Sequence, residues 1–285
     1  MANTRAIRSR IRGVQNTAKI TRAMEMIASS KMRRAQERGL AGRPYSEKIK
    51  QVIADLAALE PGEKKGYPLL QIRPVKKIAV VHITPDRGLS GGLDANLNRK
   101  TASFILSQES VTSLVLVGRR GIGFMRRYGR EVKAEFSKLG DRPSLLDTSP
   151  ISHIIIDDYS KGEIDVAYLV YAQFINTMRQ VPVVQQILPV IPDESAKSKN
   201  LDYIFEPNPK EVLNKLLPRF VEAEIYHAIL ESIASEQSAR MVAMRNATDS
   251  ANELVQSLTL EYYKARQESI TSELLDIVGG GSAIA

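Results

Sequence analysis

Apolar and small residues fall at Ile7, Ile11, Val14, Ala18, Thr21, Glu25, Ala28, Met32 and Ala35. The spacing is 4-3-4-3, the seam of a coiled coil, with Thr21 and Glu25 as its imperfect members. It predicts one long helix over 3–58, capped by Asn3 or Thr4. Gly13, Gly39 and Gly42 each cost such a helix only about 1 kcal/mol. Pro44 should kink it or break it locally. At about 1.5 Å per residue it would measure roughly 80 Å, more than a globular core of this size can bury along its whole length.

After a Pro- and Gly-bearing stretch, "EPGEKKGYPLLQIRP" (60–74), which reads as a linker, the period changes. Short apolar runs at 76–83, 112–118 and 164–174 read as strands. The run 182–191 reads as an edge strand, because Pro182 and Pro189 cannot donate to a ladder. Helical stretches lie between them, near 91–109, 119–129 and 149–161. Strands alternating with helices predict a parallel or mostly parallel α/β sheet. "PDESAKSKN" (192–200) reads as an exposed connector.

A second long helix is expected over 208–278. Pro209 suits its first turn. Pro218 should kink it or end a short first helix, and Gly279–Gly281 should stop it. Ala247, Ala251, Leu254, Leu258, Tyr262 and Ala265 repeat the 4-3 spacing. The fold expected is α/β: a long antiparallel coiled coil of the N-terminal (1–60) and C-terminal (208–280) helices, with a Rossmann-like α/β domain (75–192) inserted between them.

One tract resists that pattern. "SEQSARMVAMRNATDSANE" (235–253) has helix-forming residues and no Gly or Pro, but lacks the apolar stripe that docks a helix on a core. Either it is solvated, or it touches something that a stripe would not suit.

Charge adds asymmetry. The chain carries a net +8, yet residues 1–50 hold 13 Lys and Arg against three Glu, and Lys210–Asp276 hold seven basic against 11 acidic residues. The two ends attract weakly, since exposed ion pairs are worth about 0–1 kcal/mol each. The basic end could also meet nucleic acid, a lipid surface or an acidic protein loop. There is no Cys, which excludes disulfides and thiolate metal sites. No apolar run approaches the roughly 20 residues that span a bilayer, and no apolar signal core opens the chain.

Candidate chemistry is sparse. His82, His153 and His227 lack metal spacing, and His82, in an apolar strand, and His153, beside one, each read as a core or edge histidine. "DRGLSGG" (86–92) joins a strand to a helix, where a Gly-rich turn could cradle phosphate, but it is neither GxGxxG nor GxxxxGK[ST] and reads as a tight structural turn. "GRRGIGFMRR" (118–127) reads as another such turn with a solvated basic face. "KMRRAQER" (31–38) is a helical charge run without the short recognition helix that reads bases. No catalytic constellation emerges, and no cofactor or metal is expected.

Longer stretches are more specific. "IRSRIRGVQNTAKITRAMEMIASSKMRRAQ" (7–36), "DRGLSGG", "FINTMRQVP" (174–182), the 235–253 tract and "YKARQESITSELLDIVGG" (263–280) resemble the γ subunit of the rotary ATP synthase, over essentially the whole chain. The resemblance implies a non-catalytic rotor shaft, turning inside a ring of α and β subunits and resting on a ring of c subunits beside ε. Coupling, not bond making, would be its work, with the nucleotide belonging to β. It further implies partner contacts at Met24, near an acidic loop of β, and at Lys31, Arg33 and Arg34, which would offer that loop cations. Arg240, Arg266, Gln267 and Thr271 match polar positions that hydrogen-bond the surrounding ring. A polar 235–253 tract would then keep the shaft from sticking in one orientation. Ser90 stands where relatives often carry Cys, and the chloroplast regulatory insertion is missing, so thiol control is not expected. The motif starts within ten residues of Met1, which favours a bacterial plasma-membrane complex, with this chain peripheral on the cytoplasmic side. The rival classes are a basic coiled-coil nucleic-acid binder and a nucleotide-dependent α/β enzyme.

Overall fold

The structure, a computed structural model, describes residues 2–59, 66–128, 131–192, 206 and 208–284. The first part of the expected linker (60–65) and most of the expected connector (193–200) lie outside the described residues. The chain divides into two compact units, Met1–Ala28 with Arg240–Ala285, and Ser29–Ala239.

The larger unit is built on a five-stranded sheet. Strand β1 is Lys77–Ile83, β2 Val111–Val117, β3 Glu131–Phe136, β4 Val166–Asn176 and β5 Arg179–Leu188, in the order β3-β2-β1-β4-β5. The first four are parallel and β5 pairs antiparallel with β4. The mostly parallel sheet and the edge position of β5 agree with the sequence. Helices α2 (Leu93–Leu106), α3 (Arg119–Met125) and α4 (Leu145–Lys161) connect the parallel strands.

Side-chain alternation gives the sheet two apolar faces. Ile78, Val80, Leu114, Leu116 and Val170 face Ile105 of α2 and Met125 of α3. Ala79, Val81, Val115, Val117, Ala167 and Leu169 share the other core with Ile151, Ile155 and Tyr159 of α4. Into that same core come Ile49, Ile53 and Leu56 of α1 (Ala2–Leu59) and Leu213, Leu217, Val221, Ile225 and Ile229 of α5 (Pro209–Ile284). The near-continuous burial of β1 is that of a central parallel strand covered on both faces.

Several expectations need correction. Helix α1 begins at Ala2, ahead of both expected cap positions. It runs unbroken through Pro44, and α5 runs unbroken through Pro218. A helix-interior proline costs about 3 kcal/mol, and core residues on both sides offset this: Ala35 and Ile49 around Pro44, Leu217 and Val221 around Pro218. Three glycines do not end α5, which continues to Ile284; their cost is a weight against helix, not a stop. Helix α4 starts four residues before the expected 149, where Ser144 and Asp147 form a reciprocal capping box. The stretch 66–74 is no slack linker: Tyr67, Leu69 and Leu70 are core residues, and Val190 N–H donates to Leu69 O at 2.8 Å.

In the smaller unit the two helices pair antiparallel. Thr21 Oγ1 meets Thr248 Oγ1 at 2.7 Å, and Arg245 Nε donates to Glu25 at 2.8 Å, so one index rises as the other falls. All nine expected seam positions of α1 are buried or half-buried. On α5 the expected seam positions Ala247, Ala251, Leu258, Tyr262 and Ala265 are buried or half-buried. Leu254 is exposed, and the inward residues are Met241, Met244, Thr248, Ala251, Val255 and Leu258.

Candidate functional site

The unusual 235–253 tract starts where the sheet ends. Pairing of β1 with β4 stops at His82 and Val170. Strand β4 runs on to Asn176, and backbone groups of alternate residues point to the same side. Ala172 thus presents its N–H and C=O past the end of β1. Buried backbone groups left in that state would each cost about 1–3 kcal/mol.

Helix α5 supplies the missing partners. Ser232 Oγ accepts from Ala172 N–H at 3.3 Å, and Ser235 Oγ donates to Ala172 O at 2.9 Å. One turn further, Ser238 Oγ donates to Thr177 O at 2.8 Å and accepts from Gln180 Nε2 at 3.3 Å. Ser235 and Ser238 are completely buried. Thr177 sits at the tip of the β4–β5 hairpin, which Asn176 Oδ1 closes by accepting from Met178 and Arg179 N–H, each at 2.9 Å. Ala239 packs on Leu93, Leu97 and Ala172. The first part of the tract is therefore buried rather than solvated. An apolar stripe would have left the overhanging strand unpaired.

The same end of the sheet explains the Gly-rich turn. Asp86 accepts from the backbone N–H of Arg119 (3.1 Å) and of Lys138 (2.8 Å), tying together the segments that follow β1, β2 and β3. Gly118 has φ +92°, and a Cβ there would lie 1.9 Å from Thr84 O. Ser90 Oγ donates to Asp94, which also takes Arg120 Nε at 2.7 Å. These contacts are those of a structural turn. An open cavity of about 400 Å³ beside it is lined by Thr84, Asp86, Lys138, Asp141 and Ser232 among others. Asp141 holds Lys31 Nζ at 2.7 Å and is 3.5 Å from Gln237 Nε2.

Of the two histidines expected in the core or at a sheet edge, His153 is instead exposed on α4, 3.5 Å from Glu222, because it lies on the outer face of that helix, whereas the other is a buried polar group beneath the turn. His82 is fully buried on β1, with Asn98 Oδ1 2.9 Å from Nε2 and Thr101 Oγ1 2.8 Å from Nδ1. Burial disfavours the imidazolium and lowers its pKa to about 4, against a smaller opposing effect of the Asn98 hydrogen bond. The ring is neutral at pH 7, with no open side for a metal or substrate. His227, half-buried beside Glu224, is also lowered by burial. Glu224 is itself surrounded by Lys50, Ser46 and Gln185 at 2.9–3.0 Å.

The eight expected partner-contact residues do not form one cluster. Met24 is half-buried in the smaller unit, while Lys31, paired with Asp141, and the exposed Arg33 and Arg34 belong to the larger one. Arg240 is buried, at 8% exposure. Arg266, Gln267 and Thr271 are exposed, and Thr271 Oγ1 donates to Gln267 O at 2.9 Å within the helix. Around them Ile270, Leu274, Leu275, Ile277 and Val278 are 47–71% exposed. Ser232 and Asp141 fall outside every stretch that the sequence singled out, and Asp86 and Ser238 lie within such stretches without a role of their own. Serines spaced 3-3 on a helix were the available signal, and they resemble a wet face.

Residues 3–284 match the family described as ATP synthase. A chain of Dehalococcoides mccartyi (strain ATCC BAA-2266 / KCTC 15142 / 195), an "ATP synthase gamma chain", is 65% identical over 285 residues, covering 100% of both chains. One of the same description from Roseiflexus sp. (strain RS-1) is 47% identical over 289 residues, covering 100% of this chain and 99% of its own. Among solved structures, a chain of the Tetrahymena thermophila mitochondrial ATP synthase central stalk and c-ring has TM-score 0.63 at 25% identity, over 80% of this chain and 99% of that one. A chain of the Euglena gracilis mitochondrial ATP synthase has TM-score 0.69 at 19% identity, over 99% of this chain and 95% of that one, a likeness of fold alone.

Proposed function

The chain belongs to the ATP synthase γ-chain family, and on that premise we propose that it is the non-catalytic central rotor shaft of a proton-driven ATP synthase. Its partners in this reading are the α and β subunits around the upper helices, the c-subunit ring below, and ε beside the sheet. Proton flow turns the ring and the shaft with it, and the turning shaft biases each β subunit among states that bind, condense or release nucleotide. It can shift those equilibria only through contacts that differ between the states. The site is expected to lie on the inner side of a bacterial plasma membrane, with this chain peripheral to it. Among the described residues no helix is long and apolar enough to cross a membrane.

The observation that carries this reading is the bare apolar stretch of α5. Five large apolar side chains between Ile270 and Val278 are exposed on a helix, gathered within an arc of roughly 160°. Exposed apolar surface of this kind marks contact with a partner, and an apolar arc with Ser272, Glu273 and Asp276 on the other side of the helix fits a partner wall met along one face. Met24, Arg33, Arg34, Arg266, Gln267 and Thr271 are the polar and adaptable contacts proposed for the surrounding α and β subunits. Lys31 joins them only when its pair with Asp141 opens. The nucleic-acid alternative finds no support among the relatives.

The test is reconstitution with matching α and β subunits, read by size exclusion and ATP hydrolysis. Co-elution with hydrolysis well above α plus β alone is expected. If the chain elutes alone and hydrolysis is unchanged, the reading is wrong, and steeply salt-dependent DNA binding would replace it.

A further inference from the structure

The serines of α5 do more than satisfy the end of the sheet. We propose that Ser232, Ser235 and Ser238 form a fastening through which turning force passes between the sheet and α5. They would be positioning residues for coupling, and this rests on the shaft reading above.

The argument is one of direction. The apolar contacts of α5 with the sheet, through Leu217, Val221, Ile225 and Ile229, are attractive but non-directional. A helix held by them alone meets little resistance to a small rotation about its own axis. Hydrogen bonds weaken steeply once bent, so they resist it. Three residues per step along a helix place successive side chains about 60° apart, so the three serines cover an arc of roughly 120° and oppose rotation in both senses.

Their partners give no slack. Ser232 and Ser235 hold the N–H and C=O of one residue, Ala172, which are backbone atoms of a paired strand and not a mobile side chain. Ala172 has no ready substitute partner, because β1 pairing has ended at Val170 and its N–H and C=O point away from β5. Ser238 adds a third attachment at the hairpin tip, at Thr177 O. A slipped α5 would leave these buried groups bare, so no neighbouring low-energy position exists for it. Helix α5 continues without interruption from Ser238 to Ile284, and the same helix carries the stretch proposed to meet the catalytic ring.

The experiment uses the whole complex in sealed vesicles, with hydrolysis and ATP-driven proton pumping measured on the same samples. The triple variant Ser232→Ala, Ser235→Ala, Ser238→Ala is expected to assemble and hydrolyse ATP, but to pump severalfold fewer protons per ATP. A merely structural role would lower both together and leave the ratio unchanged, which would overturn the proposal, as would a variant that pumps like wild type. If the triple variant does not fold, Ser238→Ala and Ser238→Thr replace it. The Ala variant should lower the ratio, and the Thr variant, which keeps the hydroxyl, should restore it. Equal behaviour of the two would overturn the proposal. The wild-type chain separates this from the shaft reading. If it neither co-elutes with α and β nor raises hydrolysis, the shaft reading itself has failed.

Discussion

Helix α5 meets two different surfaces along its length. Up to Ala239 it packs on a sheet, and its inward face carries Ser232, Ser235, Gln237 and Ser238 among the apolar residues. Beyond Met241 it pairs with another helix, and its inward face is Met241, Met244, Thr248, Ala251, Val255 and Leu258. The difference follows from who owns unpaired backbone. A helix satisfies its own N–H and C=O groups, so a helix partner asks mainly for side chains that fit. A strand that outruns its neighbour does not, and asks for donors and acceptors as well.

The largest expected effect is in the sheet-bound half. Ile225 is fully buried in the main core, so Ile225→Ala should cost about 2–5 kcal/mol, read from urea unfolding. A smaller or absent loss would mean that α5 is held there mostly by its hydroxyls. Acid should also act on this half first. His82 has a folded pKa of about 4, below its unfolded 6.5, so the unfolded chain binds the extra proton in that window. Stability is full above about pH 6.5, falls as pH drops toward 4, and loses roughly 3 kcal/mol from this group. His227 acts in the same direction. Urea midpoints across the window, with His82→Gln flattening the slope, would check it.

Next in size is Ser235→Ala, expected to cost about 1–3 kcal/mol because it strips a buried carbonyl of its donor. Faster amide exchange in β4 would locate the loss. In the helix-bound half, Thr21→Val or Thr248→Val alone should cost about 1 kcal/mol. The double variant should recover most of that, since removing both partners leaves no orphan. Full additivity would show that the 2.7 Å contact contributes nothing. Smallest is Arg245→Ala, whose exposed pair with Glu25 is worth under about 1 kcal/mol and should vanish in high salt.

What could be read from the sequence divides along the same line. The α1 seam was legible because its period persists for many turns and the partner is another helix. The α5 seam was legible except at Leu254, where Val255 turns inward instead. Leu254 and Val255 both continue a 4-3 repeat, and only the opposing helix decides between them. Strand β3 was missed because "EVKAEF" alternates charge with small or apolar residues at an edge, without the apolar run that marked β1 and β2. Pro44, Pro218 and the terminal glycines were given the weight they carry in isolated helices. Packing on both sides outweighs the prolines here. The serine fastening was invisible, because which backbone groups lack partners is a property of where two strands end. Of the eight residues carried over from the resemblance, the chain could indicate exposure at most. What they meet is not in its own sequence.

The overhang of β4 also bears on how such a molecule can evolve. The sheet looks like a cassette inserted in a loop between two helices. Yet Ala172 relies on a serine 60 residues downstream, outside the insert, and one core mixes residues of α1, the strands and α5. Lineages can trade surface loops and tail lengths freely, but they cannot exchange the middle for a foreign domain without also rewriting a stretch of helix that seems, by position, to belong to something else. Recombination points in this family are therefore expected to spare the stretch from β4 to Ala239.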